Sequence, residues 1–192
     1  LRLGHRLPRD ERISTHVALV ARAFGANSIV YSGQHDSGLE DSVKRICEQW
    51  GGNVDGKQFA IAYEKNAIKL IKKRKTDGYT ILHLTMYGLS LNDKEKNPLE
   101  KIKNHEIKNK KLLIVVGSEQ VPGEVYKLAD YNISVTNQPH SEVAALAIVL
   151  DRLQQGRELD ENWNDFQGKI KIEPKENGKK IIENKKDETN KK

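Results

Sequence analysis

A chain of 192 residues predicts one domain with room for an appendage and a core that needs no disulfide; its single cysteine, Cys47, excludes an internal one and fits a reducing compartment. The longest apolar run, Leu112 to Val116, is strand-sized, and the start carries no hydrophobic signal region, which predicts a cytoplasmic protein with no membrane span of about 20 residues. The net charge of +6 does not describe a basic binding face, because residues 169–192 hold nine lysines against five acids and leave the remainder nearly neutral.

In chain order, Leu1 to Leu3 reads as a short first strand. Residues 14–25 read as a helix, with Ser14 or Thr15 as its cap and Gly25 as its end. Asn27 to Ser32 is a short β-branched strand. Residues 38–50 form a helix with Val43, Ile46, Cys47 and Trp50 at helical spacing, stopped by Gly51-Gly52. On that helix Cys47 is expected to be a buried packing thiol rather than a nucleophile. A strand near 58–62 precedes a basic amphipathic helix at about 64–75. Tyr79 to Leu84 is a buried-type strand, and 97–106 a helix with Pro98 in its first turn. Leu112 to Val116 is the clearest strand. A helix near 122–130, a strand at 132–135 and a long helix at 141–155, capped by Ser141, complete the series.

This alternation predicts an α/β fold: a mostly parallel sheet covered by helices on both faces, with ligands beyond the carboxyl ends of the strands. A C-terminal β-hairpin extension follows, because Lys169 to Ile172 alternates with period two, Asn177-Gly178 signals a turn, and Lys179 to Ile182 resumes apolar character. The expected organisation is a main domain over 1–156, an extension over 157–183, and a charged, disordered tail over 184–192.

Three loops after strands are candidate ligand contacts: His83 to Gly88, Gly117 to Pro122, and Thr136 to Ser141. Their glycines, small hydroxyls, amides and prolines suit recognition of a purine edge and a ribose. Five of the nine arginines, Arg2, Arg6, Arg9, Arg12 and Arg22, fall within the first 22 residues, where no lysine occurs. A guanidinium pairs bidentately with phosphate as an ammonium cannot, so the cluster suggests a phosphate or other oxyanion site, or else a solvated basic surface. Asp10 and Glu11 are placed to orient those arginines. His16 and His140 stand beside helix starts, as ligand donors or as caps. There is no Gly-x-Gly-x-x-Gly after the first strand, no phosphate-binding loop of the nucleoside triphosphatases, and no Cys/His cluster with zinc spacing, so no metal is expected.

Three stretches go further. Arg9 to Ala26, His83 to Gly88, and Gly117 to Pro122 taken with Ala129 to Ala145 resemble, in order, the motifs of the archaeal tRNA (cytidine-56) 2′-O-methyltransferases, of the SPOUT class. The resemblance covers about residues 1–155. It implies a C-terminal trefoil knot, which periodicity does not reveal and which runs against the usual rule of unthreaded loops. It further implies a homodimer, a tRNA substrate and S-adenosylmethionine as cofactor. The implied cofactor pocket comprises Leu84, Gly117, Ser118, Glu119, Gln120 and Val121, together with Ile133, Ser134, Val135, Thr136, Asn137, Gln138, Pro139 and His140. Arg6, Arg9 and Arg12 are the implied RNA contacts. Many enzymes of the class carry an arginine on the first helix six residues before a glycine; here that position, counted from Gly25, is Leu19. Arg12 and Arg22 on the same helix are the substitutes for the catalytic role. The activity implied is methylation of the 2′-hydroxyl of cytidine 56 in the TΨC loop. Alternatives are the same chemistry at another RNA position, or a non-catalytic RNA-binding module. The lysine-rich tail would either add salt-dependent affinity for tRNA phosphates or stay solvated.

Overall fold

The computed structural model describes residues 1–54, 57–93, 95–96, 99–100, 111–117, 120–160 and 166–184. Six strands form one sheet: β1 (Arg2–His5), β2 (Ser28–Gly33), β5 (Ala60–Tyr63), β6 (Thr80–Ser90), β7 (Leu112–Val116) and β8 (Tyr131–Ser134). The intervening β3 (Asn53–Val54) and β4 (Lys57–Gln58) make a small antiparallel pair of their own. The sheet order is β5-β2-β1-β7-β6-β8, and its pairings are parallel.

Strand β7 explains why the sheet is covered twice. Its sequence, Leu-Leu-Ile-Val-Val, is apolar at every position, and alternate residues point to opposite faces. Leu112, Ile114 and Val116 join the core beneath α1 (Glu11–Ala23), α2 (Ser37–Trp50) and α5 (Glu142–Gln154). Leu113 and Val115 join the core beneath α3 (Ala67–Thr76) and α4 (Gly123–Leu128). Among the described residues no helix is long and apolar enough to cross a membrane.

The strands and helices follow the expected alternation, with two differences that matter. Helix α1 starts at Glu11 rather than at a Ser14 or Thr15 cap. Ser14 is instead a buried residue inside the helix, its Oγ 2.8 Å from Nδ1 of the buried His5. Strand β6 does not end at Leu84. Leu84 and Leu89 both pair with Ile133 of β8, so residues 85–88 bulge out and the chain rejoins the sheet at the same partner. The Ser141 cap is present, its Oγ accepting from Val143 N at 3.2 Å. Strands β9 (Ile170–Ile172) and β10 (Ile181–Glu183) pair antiparallel near the expected turn. The helix expected over 97–106 falls mostly outside the described residues, as do 185–192 of the expected tail.

Candidate functional site: a cleft at the strand ends

Strand β1 is where the chain changes direction across the sheet, since β2 lies on one side of it and β7 on the other. Loops leaving the carboxyl ends of neighbouring strands diverge at such a point and open a crevice. A cleft of about 810 Å³ lies there. Its walls come from β1 and the turn after it, the end of β6 with its bulge, the end of β7, and the start of α5.

The first wall is charged. Arg2, at the start of β1, is 1% exposed. Its Nη2 lies 3.6 Å from Asp10 Oδ2 and 3.5 Å from Glu142 Oε1, and its Nη1 donates to the carbonyl of Leu3 at 2.7 Å. Its Nε is buried without a hydrogen-bond partner. Asp10 also accepts from Arg6 Nε at 3.2 Å. Burial pushes the Arg2 guanidinium down, while Asp10 and Glu142 pull it back up. For Asp10, burial alone raises the carboxyl, but the Arg6 hydrogen bond and the charges of Arg2, Arg6 and Arg9 outweigh it and hold the group below its ordinary value. Asp10 is therefore the anion around which the arginines are arranged.

The second wall is apolar, made by Leu84, Val116, Val121 and Ala145. Gly117 belongs here for a steric reason: a Cβ at this position would stand 2.5 Å from Val121 Cγ2. Glycine leaves the room that the Val121 side chain takes in the cleft wall.

The third wall is the bulge of β6. Asn137 Nδ2 donates to the carbonyl of Met86 at 2.7 Å and to that of Gly88 at 3.2 Å. A Cβ on Gly88 would lie 2.6 Å from backbone atoms of Asn132 and Ile133, so only glycine passes there. Beneath the bulge, the Thr85 hydroxyl lies 3.1 Å from the Tyr126 hydroxyl. The buried His83 is 2.8 Å from Asn132 Oδ1 and meets the Tyr126 ring edge-on. Burial lowers the pKa of His83, against the opposing effect of the Asn132 hydrogen bond.

Of the expected cofactor residues, Leu84, Gly117, Gln120, Val121, Pro139 and His140 line the cleft. Ile133 and Ser134 are buried in β8 behind it, and Val135 packs against the core. Thr136, Asn137 and Gln138 lie on the exposed loop before α5; Asn137 acts by fixing the bulge, and the Gln138 carbonyl accepts from His140 Nδ1 at 2.6 Å. Ser118 and Glu119 lie outside the described residues. Arg6 and Arg9 line the cleft; Arg12 is exposed and stands beside Ile13, which does.

Arg22, expected alongside Arg12, is not brought to the cleft. It stands near the far end of α1 and away from the cleft, donating to the carbonyls of Gly51 at 2.7 Å and Trp50 at 3.0 Å, with its guanidinium 5.1 Å from the Phe166 ring. Those bonds tie the end of α1 to the end of α2. Cys47 is buried, as expected, and burial pushes its thiol up, away from thiolate chemistry. Sequence reasoning missed Arg2, Thr85, Met86, Tyr87 and Tyr126 as individual cleft residues. Arg2 sat within the arginine cluster, and three of the others lay within a candidate loop, so position alone was the available signal.

His5, Ser14 and Asp36 form a chain that resembles a hydrolytic triad, with His5 Nε2 3.1 Å from Asp36 Oδ2. All three side chains are buried within the fold, and Asp36 caps α2 by accepting from Leu39 N. The array joins β1, α1 and α2 and exposes no nucleophile. Among the described residues no group of three or more His, Cys, Asp or Glu is placed to hold a metal.

Residues 50–182 match the family model described as "tRNA ribose 2′-O-methyltransferase, aTrm56". The chain is 50% identical over 185 residues to the tRNA (cytidine(56)-2′-O)-methyltransferase of Methanocaldococcus jannaschii, covering 96% of each. Its fold is similar to that of the A. aeolicus TrmH/SpoU tRNA modifying enzyme, with TM-score 0.53 and 17% identity over 83% of this chain and 75% of that one. It is similar also to the SpoU methyltransferase AviRb from Streptomyces viridochromogenes in complex with AdoMet, with TM-score 0.50, 14% identity, and coverage of 80% and 56%.

Proposed function

The chain belongs to the tRNA ribose 2′-O-methyltransferase family, and from that membership we propose that it transfers a methyl group from S-adenosylmethionine to the 2′-hydroxyl of cytidine 56 in tRNA. The observation that carries the reading is the cleft itself. One volume joins an apolar wall, to which the expected cofactor residues Leu84 and Val121 contribute, to an arginine and carboxylate cluster suited to a polynucleotide.

The residues fit the cofactor. A cleft of about 810 Å³ lies within the ~300–1,000 Å³ of ordinary small-molecule sites. Leu84, Val116, Val121 and Ala145 offer apolar surface to an adenine, while the loop around Gly117 offers backbone donors and acceptors. Arg2 Nε is a cationic donor in need of an acceptor, which suits a carboxylate. S-adenosylmethionine, when bound, supplies an electrophilic methyl on a sulfonium, a good leaving group, so orientation of the 2′-hydroxyl can provide much of the rate.

The chain's own share of the reaction is orientation and charge. A guanidinium stays protonated across the working pH range, so the arginines do not act as bases. Arg6 and Arg9 on the cleft, with Arg12 beside it, clamp the phosphate next to the target ribose and stabilise negative charge developing on its oxygen. Asp10 holds Arg6 in place for that role. The same reading includes the homodimer. It also includes the trefoil knot, supported by the path of the chain: β7 lies between β1 and β6, and the following strand crosses to the far side of β6.

The test uses labelled S-adenosylmethionine with two tRNA transcripts, one natural and one substituted at cytidine 56. Label is expected in the ribose of the first alone. Equal labelling of both would reject the assignment of the nucleotide, and absence of cofactor binding by calorimetry would reject the enzyme. Sedimentation reads the dimer.

A further inference from the structure

We propose that Tyr87 is a stacking platform for the target pyrimidine base of the RNA, a role that rests on the methyltransferase reading above. Tyr87 lines the cleft alongside Arg6 and Arg9, yet the residue is 75% exposed. Its backbone, by contrast, is fixed from several directions. Asn137 Nδ2 bonds the carbonyls of Met86 and Gly88, the residues on either side of it. Tyr87 N donates to Thr85 Oγ1 at 3.4 Å, and that hydroxyl lies 3.1 Å from the Tyr126 hydroxyl. Gly88 lies so close to the backbone of Asn132 and Ile133 that no side chain fits between them. The bulge is anchored at both ends by pairing of Leu84 and Leu89 with the same residue, Ile133.

An aromatic ring held on a fixed backbone and left in solvent contributes little to the core. It is suited to receive a flat partner, since a tyrosine has only two side-chain torsions to order on contact. Every base presents a π-face, and unstacked bases in RNA loops are gripped by aromatic side chains. With Arg6 and Arg9 on the same cleft for the phosphate, Tyr87 supplies the second grip on one nucleotide: base on the ring, backbone on the guanidinium groups, ribose between them.

The test is a double-mutant cycle by RNA binding, run with the full chain on two transcripts: natural tRNA, and the same tRNA lacking the base at position 56. Tyr87→Ala is expected to weaken binding of natural tRNA roughly five- to a hundred-fold and to raise KM for it. It is expected to change binding of the abasic transcript little. Tyr87→Phe and Tyr87→Trp are expected to bind natural tRNA like the wild type. Equal binding of natural tRNA by Tyr87→Ala and wild type overturns the proposal, as does an equal loss on both transcripts. So does a loss explained by weaker S-adenosylmethionine binding or by a changed sedimentation mass, which would make the ring a cofactor or subunit contact. The cycle reads binding and does not need turnover. A wild-type protein that binds with the expected pattern but transfers no methyl to position 56 rejects the activity and leaves the platform standing. One that binds neither transcript rejects both.

Discussion

Replacing Asp10 with asparagine removes one charge from a buried array and leaves its shape. The Asp10 side chain is 9% exposed and that of Arg2 1%, and Arg2 Nη2 stands 3.6 Å from Asp10 and 3.5 Å from Glu142. At 3.6 Å and an effective dielectric of about 20, the lost attraction between Arg2 and Asp10 is roughly 4–5 kcal/mol. Arg2 would stay buried with its desolvation cost, but it would keep Glu142 and the Leu3 carbonyl. The expected loss is therefore about 3 kcal/mol, the lower end of what breaking a buried pair costs. In urea unfolding at pH 7, with a slope of about 2 kcal/mol per molar, the midpoint falls by about 1.5 M. The pH dependence has a definite sign. The folded carboxyl is held below its unfolded value, so its contribution is full above about pH 4 and is lost as pH falls through the folded value. The gap between wild type and variant should stay constant from pH 5 to 8. The paired change Arg2→Met with Asp10→Leu removes both charges and should recover much of the loss. A single variant within 1 kcal/mol of wild type, or a paired variant worse than the single one, would refute the reasoning.

Arg22→Ala should lower stability by about 1.5–3 kcal/mol, the worth of hydrogen bonds from a charged donor, while folded protein keeps its turnover; a collapse of kcat in folded variant would return Arg22 to the cleft. Gly88→Ala forces a methyl group against backbone, so about 1–3 kcal/mol of destabilisation is expected together with weakened tRNA binding; a variant as stable as wild type contradicts the close approach. His83 is lowered by burial, so the unfolded chain takes up its proton first as pH falls below about 6.5. Its contribution is full above that pH and declines toward the folded value. Urea midpoints at pH 7.5 and 5 should therefore differ less in His83→Gln than in wild type, and equal slopes would argue against a buried neutral imidazole.

What was legible in the sequence was local. Strand β7 occupies the five residues of its apolar run, and Ser141 caps the helix that it was expected to cap. The start of α1 differs from the expected one because Ser14 and Thr15 have the composition of a cap. What decides their place is tertiary: Ser14 meets His5 across the turn after β1. Arg2 was visible as one of a cluster, but its partner Glu142 lies 140 residues away, and nothing in the spacing joins them. The loop after Leu84 is legible as a loop; that it returns to the sheet opposite the same Ile133 depends on β8, nearly fifty residues later. Arg22 shows the limit of spacing. Its helical spacing suited catalysis, and only the fold shows Trp50 and Gly51 taking its donors.

The return of β6 to Ile133 separates two demands that usually conflict. Because Leu84 and Leu89 share one partner, the hydrogen-bonded ladder on either side is indifferent to what is carried between them. Met86 and Tyr87 can thus change while the strand order is inherited unchanged, with Thr85 kept for its contact with Tyr126. Gly88 and Asn137 are the fixed hinges of that interchangeable cassette, and variation in its contents offers one route by which a single scaffold acquires new substrates.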